Sequence, residues 1–168
     1  MRKAFTLIEL MVSITILSIL MLFLYKSYAD LNRTNKTYTL ALQKLQKRGS
    51  VKKTLYLDLL MAKKSSILIE KSDKTFDFVS FMTKNSLHRR INPYVTYIVK
   101  EKVLYRLESR RQIKTIDINR DIAFDIDTIG DVEKFKLFST KDGKKEFYLL
   151  DLEMSKKEKI LLKVKILN

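Results

Sequence analysis

Residues 5–24 form an apolar run that carries one carboxylate, Glu9, and no other charged side chain. A charge at the centre of a membrane-spanning helix costs about 2.5–3.5 kcal/mol on insertion scales, so Glu9 reads as a functional residue that needs a partner. Other chemistry is sparse. His88 is the only histidine and there is no cysteine, so no metal site of the usual nitrogen and sulfur kind is expected, and His88 reads as a surface-loop residue. Asp125-Ile-Asp127-Thr-Ile129-Gly-Asp131 resembles the start of a calcium loop. Its fifth and twelfth positions are Ile129 and Lys136, where oxygen ligands are required, so Asp125 and Asp127 read as outward-facing strand residues. Three glycines leave no room for a phosphate-binding loop, and no nucleophile–base constellation stands out; neither catalytic residues nor a cofactor are expected. Basic side chains do cluster. Lys44, Lys47, Arg48, Lys52 and Lys53 fall on one helical segment, and Arg106, Arg110, Arg111 and Lys114 lie near a hairpin. With Tyr94, Tyr97 and Tyr105 interleaved, the second cluster is a candidate surface for an anionic partner, DNA being the less favoured one.

The elements that would position these residues follow from periodicity. The run 5–24 is long enough to cross a hydrocarbon core about 30 Å thick, and it exceeds the apolar region of a secretory signal peptide. Arg2 and Lys3 place the N-terminus in the cytoplasm and the remainder across the membrane. Beyond Leu24, Tyr28, Leu31, Tyr38, Leu42, Leu45 and Tyr56 recur at helical spacings, and no proline interrupts them. One helix from Phe5 to about Ala62 is expected, roughly 85 Å long at about 1.5 Å per residue. Tyr38, Leu42 and Leu45 are expected to be buried by a sheet, and Gly49-Ser50 is its weak point. The remainder reads as strands at Ser66–Lys71, Thr75–Met82, Tyr94–Lys100, Val103–Ser109, Ile113–Ile118, Ile122–Ile126, Val132–Phe138, Glu146–Leu152 and Ile160–Leu167. Glu101-Lys102 and Asp142-Gly143 mark hairpin turns, the second a strong signal. The fold class is α+β, with four parts: a leader at 1–4, a spanning stretch at 5–24, an amphipathic continuation at 25–62 and a β-rich part at 63–168.

A short basic leader followed by Phe-Thr-Leu-Ile-Glu-Leu and an apolar helix resembles the class III signal of type IV pilins and type II secretion pseudopilins. The resemblance implies a long helix laid on an antiparallel sheet, cleavage between Ala4 and Phe5 by a prepilin peptidase, and N-methylation of Phe5. It implies that Glu9 pairs with the new amine of a neighbouring subunit during assembly. Ala4 stands where the family usually has glycine. Leu55-x-x-Asp58-Leu59-x-x-Ala62, the hairpin around Glu101-Lys102 and the terminal Lys-flanked strand are similar to larger, J-type minor pseudopilins. The function expected is that of a structural minor subunit, not an enzyme, at or near the tip of a type II secretion pseudopilus or type IV pilus-like filament. Its partners would be the peptidase, other pilins, the inner-membrane assembly platform and the membrane itself. It would pass from the inner membrane, with its C-terminal domain periplasmic, into a filament in the periplasm or at the cell surface. The alternative is a minor pilin of a DNA-uptake or adhesive pilus, acting as a binding module.

The chain carries a formal charge of +15. Such a balance favours anionic partners such as nucleic acid, lipid headgroups or an acidic subunit. Without cysteines, stability must come from burial and strand pairing.

Overall fold

The computed structural model describes residues 6–71, 73–115, 122–142, 145–155 and 158–167. Ala4 and Phe5, the rest of the leader, residues 116–118 of the expected strand Ile113–Ile118 and the Gly143-Lys144 turn lie outside the described residues. One helix, α1 (Leu7–Leu60), is followed by a short 3-10 turn (Lys64–Ser66) and seven strands. These are β1 (Leu68–Lys71), β2 (Asp77–Met82), β3 (Tyr94–Lys100), β4 (Val103–Ser109), β5 (Phe124–Asp142), β6 (Lys145–Met154) and β7 (Glu158–Val164). Every strand pairs antiparallel with the next, in the order β1-β2-β3-β4-β5-β6-β7. The α+β class and the single long helix are as expected, and β3 and β4 have the expected bounds.

The chain divides into two compact units, Met1–Arg48 and Gly49–Asn168. In the first, the side chains of Leu7 to Leu24 are exposed. The helix is apolar and long enough to cross a membrane, its most apolar stretch having a mean hydropathy of 2.5. Hydroxyls within that stretch turn back on the helix. Ser13 donates to the Glu9 carbonyl at 2.7 Å and Ser18 to the Ile14 carbonyl at 2.8 Å. No hydroxyl hydrogen is then left without an acceptor in an apolar medium.

In the second unit the last turns of α1 belong to the core. Val51, Leu55, Asp58 and Leu59 are buried, a spacing that puts them on one helical face. Tyr38, Leu42 and Leu45 are 66%, 59% and 63% exposed, which corrects the expectation that they are core residues. The apolar stripe of α1 is continuous in sequence, but the buried part of it begins only at Val51. Gly49 does not break the helix. A methyl group added there meets nothing within 4 Å. At the far end, Met61 and Ala62 tighten onto the Leu57 and Leu59 carbonyls. Leu167 N–H then donates to the Leu60 carbonyl and Lys84 N–H to the Met61 carbonyl, so distant backbone donors satisfy orphan groups of the helix end.

The main core lies between the helix end and one face of the sheet, and includes Leu55, Leu59, Phe81, Tyr97, Leu104, Phe135 and Leu152. A smaller cluster of Phe78, Leu107 and Ile113 covers the opposite face. Ile113 is therefore buried without being in a strand, which corrects the expectation of a strand at its position. Ile113 covers a sheet face instead.

The expected strands Ile122–Ile126 and Val132–Phe138 merge into β5. The register shifts between Leu104 and Tyr105 opposite Ile129, and again between Val132 and Lys134. Two irregularities so close bend the strand. Its first half pairs with β4 and its second with β6. Gly130 takes a φ of 145° there, and a Cβ on it would lie 3.0 Å from the Met154 methyl. The sheet curls enough for Phe135 N–H to reach the Thr75 carbonyl at 3.0 Å and for Leu137 N–H to reach the Asp77 carboxylate at 3.0 Å.

The β3–β4 turn places Glu101 at φ 53° and Lys102 at φ 62°. Two successive left-handed residues define the turn that matches strand twist, yet neither residue is glycine or asparagine. Replacing Glu101-Lys102 by Asn-Gly should raise stability by about 1 kcal/mol, read as a shift of the denaturation midpoint of the detergent-solubilised chain. An unchanged or lowered midpoint would show that the turn is not strained. Leu55→Ala should cost about 2–5 kcal/mol as a core truncation, and Leu42→Ala less than about 0.5 kcal/mol in the same measurement.

Candidate functional site

Glu9 sits in the first turn of α1. Its Oε2 accepts the Thr6 backbone N–H at 3.0 Å and the Thr6 hydroxyl at 2.9 Å, while Glu9 N–H approaches Thr6 Oγ1 at 3.4 Å. This reciprocal pattern is a capping box. It gives the carboxylate two donors from its own helix and holds it at the positive end of the helix dipole, where a negative charge is favoured. The spacing Thr-x-x-Glu in residues 6–9 is the sequence signal for it. The carboxylate is thus oriented before any second chain arrives.

A second polar centre lies inside the Gly49–Asn168 unit, and the sequence reading missed it. Arg106 was expected on an exposed surface. It is fully buried, as are Asp58 and Glu108. Arg106 Nε donates to Asp58 Oδ2 at 2.7 Å and Nη2 to Asp58 Oδ1 at 3.3 Å; Nη1 donates to Glu108 at 2.9 Å and to Asp127 at 3.2 Å. The sheet register brings these groups together. Tyr97 stands opposite Arg106 on β3 and Asp127 opposite it on β5. Asp58 descends from the helix face shared with Leu55 and Leu59.

The three carboxylates also take donors from one short segment. Asn85 Nδ2 donates to Asp58 at 2.6 Å, the Ser86 hydroxyl and the Leu87 N–H donate to Glu108, and His88 Nε2 lies 3.0 Å from Asp127. Tyr97 OH donates to Asp58 at 2.6 Å. Four consecutive residues, 85–88, therefore serve a buried anionic cluster. His88 is an exposed loop residue, as expected, that also contacts Asp127, and Tyr97 is not available to stack on a base. Asp125 and Asp127 are engaged as well, Asp125 by Arg90 at 2.7 Å, and they share the face of Arg106. No group of three residues suited to holding a metal ion occurs among the described residues.

The electrostatics follow from burial and partners. Burial alone would raise the Glu108 carboxyl, but the donors from Ser86, Arg106 and Leu87 outweigh it and hold the carboxyl below its ordinary range. Burial and the adjacent Asp58 push the Tyr97 phenol well above its ordinary value, so it remains a donor. Burial would weaken the Arg106 charge, but its bonds to Asp58 raise its basicity and keep it cationic. The arrangement can hold a helix on a sheet. It offers no exposed nucleophile or acid.

Arg110, Arg111 and Lys114 are exposed, as expected, and they stand apart from Arg106 at the end of β4. Of the four residues grouped by sequence, only Arg106 faces the core. It alternates with Leu104 and Glu108 on the inner face of β4.

Residues 1–25 match the family model described as the prokaryotic N-terminal methylation motif. The chain therefore carries a class III prepilin signal and is pilin-like in its N-terminal organisation, a long apolar helix leading into an antiparallel sheet. Such a signal marks a structural chain, not an enzyme, and implies processing by a prepilin peptidase and assembly with other pilins. The apolar helix fits a membrane anchor. No curated protein and no solved structure was found to match the chain.

Arg106→Met should cost about 3–5 kcal/mol, because three carboxylates lose a buried cation. The double variant Asp58→Ala/Arg106→Met should cost less than the sum of its singles, since the two losses share one contact. Additive losses in denaturant unfolding would mean that the pair is not coupled. A second expectation concerns pH. The folded-state value of Glu108 lies below its unfolded value, so its contribution is present above the ordinary carboxylate range and is lost as pH falls through the lowered value. The unfolding midpoint should drop on acidification below about pH 4, and Glu108→Gln should flatten that slope while costing about 1–3 kcal/mol at neutral pH. An unchanged slope in Glu108→Gln would assign the acid sensitivity to other carboxylates.

Proposed function

We propose that the chain is a minor pilin-like subunit of a type II secretion pseudopilus or type IV pilus-like filament, located at or near its tip. A prepilin peptidase cuts between Ala4 and Phe5 and methylates the Phe5 amine. The subunit waits in the inner membrane with its C-terminal domain in the periplasm, and the assembly platform then extracts it into the filament. The match of residues 1–25 to the N-terminal methylation motif carries this reading. The capping box supports it further, because a carboxylate already oriented by Thr6 is poised to receive the ammonium of a neighbouring Phe5.

A minor role is supported by charge. At +15, copies of this chain packed side by side repel one another, whereas a filament of mixed subunits dilutes or neutralises that repulsion. The exposed Arg110, Arg111 and Lys114 are assigned to contact with an anionic partner, and Arg106 to the interior.

Intact mass and N-terminal sequencing of the membrane-extracted protein should show a chain beginning at methylated Phe5. A chain still beginning at Met1 in a host with active prepilin peptidase would overturn the reading. Glu9→Ala should leave membrane insertion intact or improved, since it deletes a costly charge, while abolishing recovery of the subunit in sheared or purified filaments. Cysteines introduced near positions 5 and 9 of an otherwise wild-type chain should crosslink between different subunits. Assembly of Glu9→Ala at wild-type levels would remove the intersubunit role of the carboxylate.

A further inference from the structure

At the end of the sheet where β3 begins, β4 ends and β5 begins, the loops enclose an open depression of about 1080 Å³. Tyr94, Ser109 and Phe124 are register partners there, and Ser109 lines the depression. Its wall carries Arg89, Arg110 and Arg111. All three are exposed, and none has an acidic partner among the described residues. The other charged groups of the wall are already neutralised. Arg90 donates through Nε to Asp125 at 2.8 Å, and His88 faces Asp127. Three guanidinium groups without an acidic partner among the described residues therefore line one concavity.

The loop that carries Arg89 is held in place from both sides. The Ser86 hydroxyl accepts the Arg90 N–H at 2.7 Å, and Leu87 N–H is bound to Glu108. Arg89 and Asn92 take φ values of 58° and 46°. A left-handed arginine is uncommon, and strain of this kind concentrates at ligand sites. On the other wall, the Ser109 hydroxyl donates to the Arg111 carbonyl at 2.6 Å and fixes the turn leaving β4.

Most of the rest of the lining is aliphatic, Asn92 and Ser109 being its polar members. Ile91 is 93% exposed and Leu87 48%, and Ile122 and Pro93 stand beside them. Among the described residues no phenylalanine, tyrosine or tryptophan lines the depression, and its one imidazole, His88, is engaged by Asp127, so it lacks the row of stacking faces that single-stranded nucleic acid uses. Guanidinium forks beside aliphatic contacts suit a carboxylate flanked by apolar side chains. We propose that this depression is a docking site for an acidic, aliphatic peptide segment of a partner protein. The proposal rests on the reading of the chain as a subunit that works through protein contacts, and it specifies the chemistry of one such contact.

The test uses the full chain in detergent and three fluorescent probes: an alternating Asp-Leu heptapeptide, its Asn-Leu counterpart and an oligothymidylate of similar length. The Asp-Leu peptide should bind about tenfold or more tightly than the Asn-Leu peptide, and more tightly than the oligothymidylate, at moderate salt. The triple variant Arg89→Ala/Arg110→Ala/Arg111→Ala should weaken it about tenfold or more, with circular dichroism and thermal transition unchanged because these side chains are exposed. Lys44→Ala/Lys47→Ala/Lys52→Ala removes the same charge elsewhere and should change binding about twofold or less. The triple Arg→Lys variant should bind weakly, since it keeps the charge and loses the fork geometry. Equal weakening by the two alanine triples would reduce the effect to net charge and overturn the site. Tighter binding of the oligothymidylate with the same arginine dependence would assign the depression to nucleic acid. Absence of peptide binding at low salt would also overturn it. These outcomes are independent of the mature N-terminus. A methylated Phe5 without peptide binding removes the site alone, and peptide binding by a chain still beginning at Met1 removes the filament reading alone.

Discussion

The globular unit depends on one buried ion pair, Asp58 on the helix with Arg106 at the centre of the sheet. Such a pair is a poor source of net stability, because removing two charges from water costs about as much as their attraction returns. Its effect is on selectivity. Turning the helix by one residue would move Asp58 about 100° and leave Arg106 buried against apolar groups. Shifting β4 by one residue would put Arg106 on the opposite face, toward Phe78 and Ile113. Either error leaves charges buried without partners, so the pair fixes helix rotation and strand register together. The surrounding donors complete it. Tyr97 and Asn85 serve Asp58, Ser86 and Leu87 serve Glu108, and Arg106 bridges the carboxylates. The loop from Thr83 to Pro93 is therefore ordered by the same charges that position the helix, and the arginine-lined depression beside it inherits that order.

The two polar centres of the chain solve related problems in different media. Glu9 stands in an apolar helix with no partner strand to supply donors, so its own first turn supplies them through Thr6. Asp58 stands in a helix turn covered by a sheet, so donors come from β3, β4 and the 85–88 segment. In the proposed filament the Thr6 contacts keep Glu9 tolerable in lipid and leave it oriented for an incoming ammonium. Association of spanning helices gains little from the hydrophobic effect, since lipid is as apolar as leucine, and a single polar contact then weighs heavily in the choice of neighbour.

A division of labour along α1 follows. From Val51 onward its apolar face is used within the subunit; upstream, Tyr28, Leu31, Tyr38, Leu42 and Leu45 are exposed. Sequence periodicity is the same on both sides of Gly49, because a stripe that meets its own sheet and a stripe that meets something else obey the same spacing rule. Which part is internal depends on where the sheet ends, and that is not a local property.

By itself the sequence determined whatever local spacing specifies. The apolar run and the lone Glu9 mark the N-terminal signal, and alternation with turn residues placed β3 and β4 correctly. Tertiary structure alone decided the rest. Arg106 reads as one more basic residue beside Arg110 and Arg111. Only the pairing of β3, β4 and β5, together with a carboxylate 48 positions earlier on the helix, makes it the buried centre. The 127–131 stretch reads as a break between strands, and it becomes a bend within β5 because the two halves must pair with different neighbours. Ile113 reads as a strand residue and instead covers the outer face. In each case the deciding contact joins residues far apart in the chain, and local spacing carries no information about such a partner.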